Sequence, residues 1–211
     1  IRQNPFSASL TYKSDYFVSS LYPLHIAVSL GASAHAVDII CQAFPQALET
    51  KCNHGNTPLH YACIYGSPRE TVSLLLKKWS RALLQKNSYG QTPLHCAYGF
   101  ETSLDLIFHS IETWPAAVRV RCNRGQTPLH IICHKSNVST QLLSQLLGIW
   151  PEAVAAKDNK GITPLHLACA NQQPIEVISM LIEKFQGTTL GLVSDSHGNT
   201  PLHTAIRHKA P

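Results

Sequence analysis

Twelve histidines and seven cysteines in 211 residues raise metal chemistry first. His60-x-x-Cys63, His130-x-x-Cys133 and His166-x-x-Cys169 pair two residue types that zinc favours. Each pair, however, sits at the same place in a repeated block, so the pairs are strung along the chain. No Cys-x-x-Cys accompanies them, and a tetrahedral site needs four converging ligands. No metal and no cofactor is therefore expected. Nucleophilic catalysis lacks its frame as well: Gly-x-Ser-x-Gly, phosphate-loop and dinucleotide glycine patterns are all missing. Asp38, Glu70, Asp105, Glu112, Glu176 and Glu183 are isolated carboxylates on helical stretches, where solvated faces are ordinary. No catalytic residue is assigned, and the chain is read as a non-enzyme.

The elements that place these residues come from an internal repeat. Thr-Pro-Leu-His occurs at Thr57–His60, Thr92–His95, Thr127–His130, Thr163–His166 and Thr200–His203, with a degenerate Tyr22-Pro23-Leu24-His25 before them. The histidines His25, His60, His95, His130, His166 and His203 lie 35, 35, 35, 36 and 37 residues apart. Phe44, Trp79, Trp114, Trp150 and Phe185 keep step, and Ala47, Ala82, Ala117 and Ala153 follow the first four by three residues. Gly55, Gly90, Gly125, Gly161 and Gly198 precede each Thr-Pro by two.

Each block reads as helix, turn, helix, loop. Thr is a good N-cap, and Pro at the first helical position has no N–H to leave unpaired. The second helix shows apolar residues at helical spacing, as at Val72, Leu75, Leu76 and Trp79, or Leu142, Leu143, Leu146 and Leu147. Trp114-Pro115 and Trp150-Pro151 mark helix ends, because a residue before Pro avoids the helical region. The aromatic row is expected to be a buried ladder sealing successive second helices. Cysteines placed by the repeat, such as Cys63, Cys133 and Cys169, are expected to be small buried hydrophobes, not disulfide partners.

This pattern resembles the ankyrin repeat, whose signature is a period near 33 with Thr-Pro-Leu-His-x-Ala. The final Ala is present at Ala27, Ala62, Ala97, Ala168 and Ala205 and is replaced by Ile132 in one copy. The extra length is expected near His134–Ser139 and Gly187–Leu192. The resemblance implies an all-α solenoid of stacked helix-turn-helix units with short hairpin-like turns. It covers residues 17–211 as a single domain with an incomplete last repeat, after an N-terminal extension at 1–16. Since α-helical repeats bury their apolar faces only by stacking, either further sequence or some other surface is expected to cover the terminal half repeat. The resemblance also implies that the six repeat histidines are structural.

Family members bind partners on a concave face made of turn tips and first helices. Carried onto this chain, that face includes Ile64, Tyr65, Tyr89, Phe100, Arg124, His134, Lys135, Lys160 and Arg207. Aromatics lie toward the N-terminal half and cations toward the C-terminal half. Aromatics and Arg are frequent binding hot spots, so the expected partner is another protein with an acidic and apolar surface or segment. The expected function is a non-catalytic interaction or scaffold module. Alternatives are binding of nucleic acid or anionic lipid by the basic half, or service as a regulatory segment of a larger enzyme.

Composition sets the remaining bounds. A formal charge of +5 and 14% charged residues give a mild basic bias, too sparse to favour nucleic acid. No run of about 18 apolar residues suggests a membrane span. The chain opens on Ile1-Arg2-Gln3 with neither Met nor a signal segment, so a piece of a longer protein is expected. Thiol usage suggests an intracellular setting, cytoplasmic or nuclear, with an organelle as the alternative.

Overall fold

The computed structural model describes residues 12–14, 17–99, 104–135, 138–185 and 193–210. Two compact units are present, Ile1–Ala117 and Val118–Pro211. The first opens with an antiparallel hairpin of β1 (Tyr12–Ser14) and β2 (Phe17–Leu21), paired Tyr12 to Leu21 and Ser14 to Phe17. This hairpin straddles the residue where the helical array was expected to start. Three helix pairs follow: α1 (Pro23–Ser29) with α2 (Ala34–Ala43), α3 (Pro58–Tyr65) with α4 (Arg69–Lys78), and α5 (Pro93–Gly99) with α6 (Leu104–Thr113). The second unit holds α7 (Pro128–Cys133) with α8 (Thr140–Ile149), α9 (Pro164–Ala170) with α10 (Ile175–Lys184), and then α11 (Pro201–His208).

Within each unit, first helices pack on first helices and second on second. α1 lies on α3 and α3 on α5; α7 lies on α9 and α9 on α11. The Leu of each Thr-Pro-Leu-His points into this stack: Leu24, Leu59, Leu94, Leu129 and Leu165 are all buried. Each such side chain stabilises the stack by about 1.5–3 kcal/mol relative to exposure. No second helix follows α11 among the described residues, and there the equivalent Leu202 is 68% exposed. All seven cysteines are buried and free.

The aromatic row departs from expectation. Phe44, Trp79, Trp114, Trp150 and Phe185 are half-buried, not sealed in the core. The first four are each followed by a short 3₁₀ turn, at Pro45–Glu49, Ser80–Leu84, Pro115–Arg119 and Pro151–Ala155. In that turn the Ala N–H three residues on donates to the aromatic residue's carbonyl, at 3.0 Å for Ala47 and Ala117 and 3.1 Å for Ala82 and Ala153. The tight turn buries the small Ala, while the aromatic residue before it stays half-buried. Pro is not required for it. Trp79 precedes Ser80 yet has φ −152° and ψ 80°, close to the −141° and 79° of Trp150 before Pro151. The loop expected to lengthen at 187–192 and the centre of the turn at 136–137 lie outside the described residues.

Candidate partner-binding surface

The repeat histidines set the frame on which the exposed tips are built. At the start of α3, α5, α7, α9 and α11 the Thr Oγ1 lies 2.8 Å from the His Nδ1 three residues later. The Thr backbone N–H donates to the same Nδ1 at 3.1–3.3 Å. This is a capping box in which His takes the place usually held by Glu or Gln. The far nitrogen reaches the next repeat. His25 Nε2 lies 2.9 Å from the Asn56 carbonyl, His60 3.0 Å from Gln91, His130 3.1 Å from Ile162 and His166 3.0 Å from Asn199. A carbonyl only accepts, so Nε2 carries the proton and Nδ1 keeps its lone pair.

Burial disfavours a charged ring here. It pulls the His25 and His60 pKa values down to about 4, against the upward effect of their carbonyl hydrogen bonds. His130 and His166 are lowered for the same reason. His203, on α11, is exposed and bonds only within its own repeat among the described residues. Also among the described residues, no three His, Cys, Asp or Glu side chains gather as metal ligands would.

The tips are five-residue turns closed by paired backbone bonds, such as Cys122 N–H to Gln126 O and Gly125 N–H to Cys122 O, both 2.9 Å. Gly125 has φ +74°, which only Gly adopts without strain. A Cβ there would also run into the Asn159 side chain and lie 2.8 Å from the Asn159 backbone nitrogen. Neighbouring tips are bonded directly. Ser88 N–H donates to His54 O at 2.9 Å in the first unit. In the second, Asn159 N–H donates to Arg124 O at 3.0 Å and Ser196 N–H to Lys160 O at 2.8 Å.

The first unit presents Tyr65, 50% exposed at the end of α3, and Tyr89, 61% exposed on a tip. Tyr65 stacks on the buried Tyr61 at 5.7 Å between ring centroids, and Tyr61 meets His25 edge-on at 5.3 Å. Tyr89 is set by its N–H, which donates to Asn87 Oδ1 at 3.0 Å. Ile64 is half-buried beside Tyr65. Phe100 lies outside the described residues. In the second unit Arg124, His134, Lys160 and Arg207 are exposed. Lys135 is half-buried, and its carbonyl accepts from the Gln173 side chain.

One set of residues escaped the sequence reading. Lys51, Lys86, Arg121 and Lys157 recur 35, 35 and 36 residues apart, just before each tip, and all are exposed. Lys51 Nζ donates to Lys86 O at 3.1 Å, and Lys157 Nζ to Ser194 O at 3.1 Å. The repeat spacing itself would have revealed this row had cations been aligned as the histidines were.

No helix among the described residues is long and apolar enough to cross a membrane. No curated protein sequence matches the chain. The family described as "Ankyrin repeats (3 copies)" matches residues 8–82, 24–115, 105–189 and 139–211. Among solved structures, the ankyrin repeat domain of Bcl-3, a member of the IkappaB protein family, superposes with a TM-score of 0.71 at 25% identity, over 87% of this chain and 77% of that one. A chain from the complex of the predatory endopeptidase Bd0816 of Bdellovibrio bacteriovorus with immunity protein Bd3460 gives 0.72 at 23% identity, over 88% and 91%. Ankyrin repeats are protein-interaction modules. With its Thr-Pro-Leu-His frame, paired helices and bonded tips, this chain belongs to the ankyrin repeat family.

Proposed function

We propose that the chain is a non-catalytic interaction module that holds another protein against its tips and the exposed ends of its first helices. The observation that carries this reading is the pair of exposed tyrosines in the first unit. Tyr65 and Tyr89 each present half or more of their surface; the Tyr65 ring is stacked on Tyr61, and the Tyr89 backbone is fixed in its tip by Asn87. A large side chain fixed before binding loses little conformational entropy on docking. The tips and helix ends of the second unit present Arg124, His134, Lys160 and Arg207, which suit acidic groups on a partner. The scaffold is rigid where the partner would press, because every described tip is closed by its own backbone bonds.

The test is a comparative capture of partners by the native chain and by the Tyr65→Ala, Tyr89→Ala double variant. The expected result is loss of the bound partner with the unfolding midpoint unchanged. Equal capture by both proteins would remove these tyrosines from the binding face.

A further inference from the structure

We propose that Ser80 is a phosphorylation site, the acceptor for a separate serine kinase that selects basic segments. The inference goes beyond the interaction reading and does not depend on it. A cation three residues before a hydroxyl occurs at Lys77–Ser80, Arg124–Thr127 and Lys160–Thr163. In the fold, Thr127 and Thr163 are buried helix caps, each with its Oγ1 2.8 Å from a histidine Nδ1. Ser80 is exposed, and its hydroxyl makes no hydrogen bond among the described residues.

The charge around Ser80 suits an acidic substrate cleft. Lys78 precedes it by two residues and Arg81 follows it, and both are exposed, as is Lys77. No acidic residue stands between Glu70 and Glu101 in the sequence. Lys78 Nζ lies 2.7 Å from Asp38 Oδ1 on α2, whereas Lys77 and Arg81 make no ion pair among the described residues. Kinases discriminate substrates largely by such charge patterns. After transfer, Lys77 and Arg81 stay available to a phosphoryl group that carries about −1.5 to −2 charge at pH 7.

The local backbone can present this segment without opening the core. α4 ends at Lys78, and Trp79 has left the helical region, with φ −152° and ψ 80°. To offer residues 77–81 as an extended strand, the chain frays α4 at Lys77 and Lys78, which bury little, while Leu75 and Leu76 stay buried. The backbone bonds given up include Trp79 N–H to Leu75 O at 2.8 Å and Ala82 N–H to Trp79 O at 3.1 Å. Such local opening costs less than global unfolding. The hydroxyl is also spare to the turn, because Ser80 fills the place that Pro45, Pro115 and Pro151 hold in the other 3₁₀ turns. In the transfer, the Ser80 Oγ–P bond forms as the bond from the γ-phosphorus of a nucleoside triphosphate to its bridging oxygen breaks. The nucleoside diphosphate leaves, and the hydroxyl proton passes to the kinase's catalytic carboxylate.

The experiment incubates the 211-residue chain with magnesium ATP and a purified basophilic serine kinase whose activity is verified on a basic peptide. Peptide mass spectrometry is expected to find the phosphoryl group on Ser80. Ser80→Pro should keep the urea midpoint and accept no phosphate there. Lys77 makes no side-chain contact to lose among the described residues, so Lys77→Gln should fold normally and lower kcat/KM several-fold through the lost ion pair with the kinase. Label on Thr127 or Thr163 in place of Ser80, no incorporation, or an unchanged rate for Lys77→Gln overturns the proposal. So does a rate that climbs in step with the unfolded population in Gly66→Ala, because the kinase would then be acting on the unfolded chain.

Discussion

Tyr22 stands where the other repeats have Thr, and the His25 Nδ1 it should serve has no hydrogen-bond partner among the described residues. The two rings face each other at 5.8 Å between centroids, a contact that offers no donor to that nitrogen. A buried acceptor left unpaired costs about 1–3 kcal/mol. Tyr22→Thr is therefore expected to raise unfolding stability by roughly 1 kcal/mol, after loss of the ring contact. Urea unfolding would show a higher midpoint at unchanged slope.

The histidine frame makes the fold acid-labile. His25 and His60 titrate at about 4 in the folded chain, because burial opposes the charged ring, against an ordinary 6.5. Below pH 6.5 the unfolded chain therefore binds more protons than the folded one. Their contribution is complete above pH 6.5 and is lost as pH falls toward 4, at up to about 1.4 kcal/mol per pH unit for each ring. His130 and His166 shift the same way and add to the slope. Urea midpoints at pH 7, 5.5 and 4.5 should fall steadily, and a flat profile would contradict the neutral, Nε2-protonated assignment.

Two glycines separate backbone strain from tip contact. Gly66 has φ +65° and no atom within 4 Å of an added Cβ, while Gly125 has φ +74° and meets Asn159. Gly66→Ala should cost about 1–2 kcal/mol, the left-handed penalty alone. Gly125→Ala should cost distinctly more, because Asn159 N–H must also leave Arg124 O. Equal losses in thermal unfolding would mean that the tip-to-tip contact contributes nothing.

The thiols are expected to be inert in the folded state. All seven are buried, and burial pushes Cys96 up to about 12 and Cys63 and Cys133 higher still. The thiolate is the reactive form. A colorimetric thiol reagent at pH 8 should titrate few groups in the native chain and all seven in urea. Rapid native reaction would show that the stack opens.

What the sequence made legible was what recurs locally. Thr-Pro-Leu-His marks each helix start, and the tip glycines carry the expected positive φ. The partner of the Thr hydroxyl was less evident: it lies closest to the His ring, a geometry that only the folded turn reveals. The aromatic row was read as core because repetition and apolarity coincide in Trp79 and Trp150, yet the 3₁₀ turn buries Ala82 and Ala153 and leaves the two rings half-buried. The cations Lys51, Lys86, Arg121 and Lys157 were in register all along but lay outside positions counted from the glycines. The strand pair Tyr12–Ser14 and Phe17–Leu21 is too short for alternation to announce it.

The most direct test of the central claim is hydrogen–deuterium exchange on the chain with and without its captured partner. The account predicts new protection at the tips and first-helix ends, around Tyr65, Tyr89, Arg124 and Lys160. Protection confined to the second helices α4, α8 and α10, with the tips unchanged, would contradict it.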